Sequence, residues 1–72
     1  MKTKEQVIKE LIQERDELIA KAERLEGFLG RDNANSLVGE VQYVLMECQL
    51  KYMRCYIDVL DKRILDLGGY AF

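Results

Sequence analysis

Three arginines and four aromatics are the residues whose chemistry suits a ligand: Arg15, Arg54 and Arg63, with Tyr52, Tyr56, Tyr70 and Phe72. A guanidinium fork can grip two phosphate oxygens at once, and an aromatic ring can stack on any nucleobase. Arg15 falls between Leu11 and Leu18 on an apolar stripe, and Arg63 with Gln49 interrupts another. Arginine is seldom buried without a partner, so each either reaches out, pairs with an Asp or Glu, or meets an anion. Tyr52 and Tyr56 likewise suit core volume with a hydroxyl at the rim, or stacking on a base. Tyr70 and Phe72 close the sequence, where polar residues are the rule, and suit docking onto a neighbouring protomer or over a ligand.

Other groups offer little catalytic chemistry. Histidine is absent, so no Ser-His-Asp triad, Cys-His pair or zinc-histidine motif can be assembled. The acidic pairs, Asp16-Glu17 and Asp58 with Asp61, sit on faces rich in other charges and read as solvated surface. Cys48 and Cys55 are separated by two helical turns, roughly 10 Å, which is beyond disulfide reach within a chain. They are not in CxxC spacing, and read as small buried hydrophobes in a reduced compartment. Gly27 and Gly30 belong to a turn and form no phosphate loop. No metal site, no cofactor and no enzymatic activity are expected.

Two helices must position these residues. The first is expected from about residue 3 to 28, with Thr3 as N-cap. Its stripe reads Ile8, Leu11, Leu18, Ala22, Leu25, Leu29, flanked by Ile12 and Ile19. A polar loop follows at about 29–36, where Asp32, Asn33, Asn35 and Ser36 favour turns and N-caps. The second helix is expected over about 37–67, stopped by Gly68-Gly69, with an aromatic tail at 68–72. The fold class is all-α: a single antiparallel helical hairpin with a long second helix.

The second helix carries two stripes. One is Tyr43, Met46, Leu50, Met53, Ile57, Leu60, Ile64, Leu67; the other is Val41, Leu45, Cys48, Tyr52, Cys55, Val59. With a turn of about 100° per residue, they span an apolar arc of roughly 200° or more, twice what one packing face needs. One neighbouring helix cannot cover both. A homo-oligomer, a dimer or higher, is expected to bury the surplus as a helical bundle. The first of the two stripes is taken as the oligomer interface.

Composition bounds the rest. The 72 residues are 49% apolar and 33% charged, too apolar for disorder. Eleven basic against thirteen acidic residues give no basic field, so binding to a DNA or RNA backbone is not expected. No apolar run is long enough to span a membrane. The charged N-terminus lacks a signal-peptide core, and a cytoplasmic location is the default.

Two segments, ERDELIAKAERLEGFL and QLKYMRCYIDVLDKRI, resemble a group of small tailed-phage proteins related to crAss-like phage. The matching positions are Leu25, Phe28, Leu29, Gln49, Met53, Tyr56, Leu60, Arg63 and Ile64, across about half of the chain. The group's hairpin is similar in architecture to the cyclic-nucleotide sponges that phages use against CBASS and Thoeris immunity. The resemblance implies an oligomer that holds a cyclic nucleotide at protomer junctions without cleaving it, in the cytoplasm of an infected bacterium. The ligand residues named above come from side-chain chemistry and not from this likeness. The competing expectation is a protein-interaction module, an anti-defence inhibitor or virion accessory that uses its spare apolar face to bind a host protein.

Overall fold

The computed structural model describes residues 1–69; Tyr70 and Phe72 lie outside the described residues. Three helices follow in order: α1 (Lys4–Leu29), α2 (Ala34–Val38) and α3 (Glu40–Asp66). Helices α1 and α3 run antiparallel as a rod about 48 Å long and 18 Å across. No strand occurs among the described residues.

Helix α1 starts where its free amides find acceptors. Thr3 Oγ1 accepts from the Gln6 amide at 3.1 Å, and Gln6 Oε1 accepts from the Thr3 amide at 2.8 Å. This reciprocal capping box satisfies two N-terminal donors. The helix continues through Gly27 to Leu29, where Gly30 caps it and donates to the Glu26 carbonyl at 3.0 Å.

The expected loop is shorter than its polar composition suggests. Residues 34–38 form the one-turn helix α2, and α3 begins at Glu40, three residues later than expected. Between them Gly39 adopts φ 88° and ψ 156°, backbone that a side chain disfavours. Its amide closes α2 on the Asn35 carbonyl at 2.8 Å, and its carbonyl accepts from Tyr43 at 2.9 Å to open α3. Helix α2 tucks Ala34 fully into the hairpin's turn.

At the other end Leu67 is the C-cap and Gly68 takes the left-handed conformation, φ 85°. Gly68 donates to Leu65 and Gly69 to Ile64, at 3.0 and 2.9 Å. That pair of bonds is a Schellman motif. Gly69 lies so close to the core that a Cβ there would come within 2.5 Å of Ile64 Cγ2 and 3.0 Å of Ile8 Cγ2.

The core sits near this end. Leu11, Leu60 and Ile64 are buried, with Val7, Ile8, Ile12, Leu18 and Leu67 packed around them. Ala22 and Leu50 continue the seam toward the turn. There the Tyr43 hydroxyl donates to the Leu29 carbonyl at 3.1 Å.

Candidate functional site

The stripe expected at an oligomer interface lies instead against α1. Leu50, Leu60 and Ile64 are buried, and Tyr43, Met46, Met53, Ile57 and Leu67 are half-buried, all within one chain. The other stripe faces outward: Val41 is 72% exposed, Tyr52 68%, and Leu45 and Val59 more than half. The physical reason is side-chain bulk. The inner stripe is dominated by Leu, Ile and Met, which bury the most apolar surface against α1. The outer stripe is made of Val, Cys and Tyr around a single Leu. Its two cysteines, Cys48 and Cys55, are therefore exposed on this chain, contrary to the expectation that they are buried.

Two of the candidate arginines, Arg15 and Arg54, have acquired carboxylate partners. Arg15 lies on the α1 seam with its side chain only 18% exposed, and its guanidinium meets Asp61 of α3 at 3.1 Å. A second contact, Arg15 Nη2 to Asp16 at 2.9 Å, holds the other edge of the fork. This is the pairing that a partly buried guanidinium requires, and it ties the two helices together beside Leu11 and Leu60. Arg54 pairs with Glu26 across the hairpin. Arg63 stands exposed on the outer side of α3.

Tyr56 donates its hydroxyl to the Glu14 carboxylate of α1. That hydrogen bond, with smaller contributions from burial and from the charge of Glu14, pushes the phenol above its usual range, while the positive Arg63 acts the other way. Tyr52 points its face to solvent one turn earlier. Lys62, on the same outer side, is raised by its hydrogen bond to Asp58, a pair at 2.8 Å one turn apart.

One groove opens along the hairpin, of about 550 Å³, between the end of α1 and the first half of α3. Glu26, Glu47, Lys51 and Arg54 line it over a floor of Leu29, Leu50, Gly30 and Cys55. The charges there balance, two of each sign, and Arg54 is already held by Glu26. Of the described candidate ligand residues only Arg54 belongs to this groove. Tyr52, Tyr56 and Arg63 gather instead along the outer face and its edge. Of the carboxylates that engage the candidates, Asp16 and Asp61 are not the purely solvated groups expected, since both hold Arg15. Asp61 sits next to Leu60 of the inner stripe, where it can reach α1; Glu14 and Glu26 are not singled out by the sequence pattern. Among the described residues no three His, Cys, Asp or Glu groups are placed to hold a metal ion. No helix among them is long and apolar enough to cross a membrane.

Comparison with curated proteins gives no match, and neither does comparison with solved structures. A family model does match, across residues 5–66, which takes in nearly all of α1, the turn and α3. On that span the chain belongs to the Sequestin family, a name that points to binding and holding.

Proposed function

We propose that this protein sequesters a cyclic-nucleotide immune signal at the junctions of an assembly of hairpins, and holds it without cleaving it. The proposal includes a phage origin and action in the cytoplasm of the infected bacterium. Its carrying observation is the outward α3 face, where Tyr52, Tyr56 and Arg63 border an apolar stripe that the chain's own helices leave uncovered. Family membership across residues 5–66 supports a holding role. Aromatic faces supply sequence-tolerant stacking, and Arg63 supplies a phosphate contact at the same edge. Arg54 can add a second contact once a phosphate competes with Glu26. Arg15 serves the hairpin, because its fork is already engaged by Asp61 and Asp16.

Calorimetry against a panel of cyclic di- and trinucleotides tests the reading directly. A ligand at a hundred times its Kd stabilises the folded form by about 2.7 kcal/mol, which for a domain of this size is a rise in Tm of roughly 10–20 °C. Heat-denatured complex must release the nucleotide with its mass unchanged. Absence of heat and of thermal shift across the panel refutes the proposal.

The exposed apolar stripe also favours a second reading, a module that lays this face on a host protein. That reading predicts a stoichiometric complex with a defined host protein, and no stabilisation by any nucleotide.

A further inference from the structure

We infer that the uncovered face of α3 pairs with the same face of a second copy, running antiparallel, in a register that sets Tyr52 of each chain on Cys55 of the other. This deepens the assembly that the proposed function requires, and rests on that reading only for its biological purpose.

The outer stripe has the spacing of a coiled-coil seam, 4,3,4,3,4 from Val41 to Val59. Leu45, Tyr52 and Val59 occupy one seam position, and Val41, Cys48 and Cys55 the other, along about 27 Å of helix. A parallel pair would set like against like: tyrosine on tyrosine in one layer, cysteine on cysteine in the next. At one helix spacing, layers of such unequal volume leave the cysteine layer underfilled beside the tyrosine layer, which costs packing. An antiparallel pair sets one seam position against the other. Every central layer then joins a larger residue to a smaller one, Tyr52 to Cys55 and Val59 to Cys48.

Flanking residues select the register. In the proposed one, Lys51 faces Asp58 of the second copy, whose carboxylate is shared with Lys62 of its own helix at 2.8 Å, and the contact occurs twice by symmetry. Val44 meets Leu65 in the same row, so two exposed apolar side chains outside the seam cover each other. Sliding the pair by one heptad would set Val41 on Val59 and Leu45 on Cys55 of the second copy, but it brings Lys51 against Lys51 and leaves Leu65, 63% exposed, in water. In the proposed register Val41 and Leu45 lie at the ends of the seam beside Asp66 and Lys62. The opposite flank carries Gln49, Tyr56 and Arg63 from both copies, so each edge residue of the candidate ligand face recurs across the twofold axis.

Mass and thiol chemistry test this. The native chain should sediment at twice its 8.4 kDa at micromolar concentration. A Cys55→Ser, Val59→Cys variant should form disulfide-linked dimers under mild oxidant, joining position 59 to Cys48 of the second copy. Those positions lie about 16 Å apart within one helix, so the cross-link cannot close inside a chain. The Cys55→Ser variant alone, whose remaining thiol is Cys48, should stay uncross-linked, because antiparallel pairing holds the two Cys48 thiols about as far apart. A single-chain mass overturns the inference. So does rapid cross-linking of the Cys55→Ser chain, which is the parallel arrangement, or failure of the double variant to cross-link while its helix content is native. Calorimetry separates the two claims: a dimer that binds no nucleotide refutes sequestration alone, and a monomer that binds one refutes the pairing, and with it the junction site, while leaving sequestration standing.

Discussion

Leu60→Ala is the perturbation that most directly weighs the two faces of α3 against each other. Leu60 is fully buried between Leu11 and Ile64, whereas Leu65, one turn on, is mostly exposed. Truncating a buried leucine removes its transfer free energy and leaves a cavity, together about 2–5 kcal/mol. A rod of two helices has little space to collapse into, and a chain this short holds only about 3–5 kcal/mol in a single core. The loss is therefore comparable with the whole stability of one hairpin. For a small domain, with a urea m-value of about 1 kcal/mol per molar, the midpoint should fall by about 2 M or more. Leu65→Ala, measured on the monomeric hairpin at nanomolar concentration, should shift stability by less than about 0.5 kcal/mol, as surface truncations do. The assay is urea unfolding followed by helical circular dichroism for both variants beside the native chain. If Leu60→Ala moves the midpoint no more than Leu65→Ala, the assignment of the inner stripe to the α1 seam is wrong.

Three further outcomes follow from the polar contacts and the glycines. Tyr56 is raised above its usual value of 10.0 by its bond to Glu14, so the stability it contributes is complete below that pH and disappears as pH rises through the folded value. Alkaline unfolding curves and the phenolate absorbance should show this, and Tyr56→Phe should remove that part of the pH dependence; an identical alkaline profile in Tyr56→Phe would falsify the Glu14 contact. Asp61→Asn should cost about 1 kcal/mol, a value kept modest because Asp61 is partly solvated and Asp16 still holds Arg15. The cost should shrink in high salt, and a salt-independent loss would point to packing instead. Gly69→Ala should destabilise by about 1–3 kcal/mol, the cost of overpacking a filled site, since its Cβ would press on Ile64 and Ile8. A thermal melt unchanged by this substitution would show that α3 does not close onto the start of α1.

Much of the fold is legible in the residue order because helical periodicity reports which residues share a face. Thr3, the α1 stripe and the stop at Gly68 all follow from local rules that tertiary packing does not override. The choice between the two α3 stripes is different. Both keep a regular 3,4 rhythm, so periodicity alone ranks them equally. The deciding quantity is bulk, with Leu50, Leu60 and Ile64 on one side and Cys48, Cys55 and Val59 on the other. That signal is present in the sequence and favours the inner stripe for the intrachain seam. Gly39 is harder to read, since a glycine followed by Glu40 and Val41 looks like the first turn of a helix already under way. Only its positive φ reveals that α2 and α3 are separate. The partners of Arg15 and Tyr56 depend on the axial offset between α1 and α3. That offset is set by the turn, and no single-helix pattern encodes it.

The backbone at Gly39 has a stereochemical consequence. A Cβ built there in the L configuration meets nothing within 4 Å, so the obstacle to a side chain is torsional and not steric crowding. The mirror image of φ 88°, ψ 156° lies at the margin of the extended region that L-residues occupy. A D-alanine in place of Gly39 therefore has the handedness that the junction demands, while L-alanine has the wrong one. A 72-residue chain is within reach of chemical ligation. The chain carrying that D-residue should be firmer than the native protein by about 0.4–1 kcal/mol, through the smaller conformational freedom of its unfolded state. The corner between α2 and α3 is thus a site where the handedness of one added methyl decides whether the hairpin is tightened or strained.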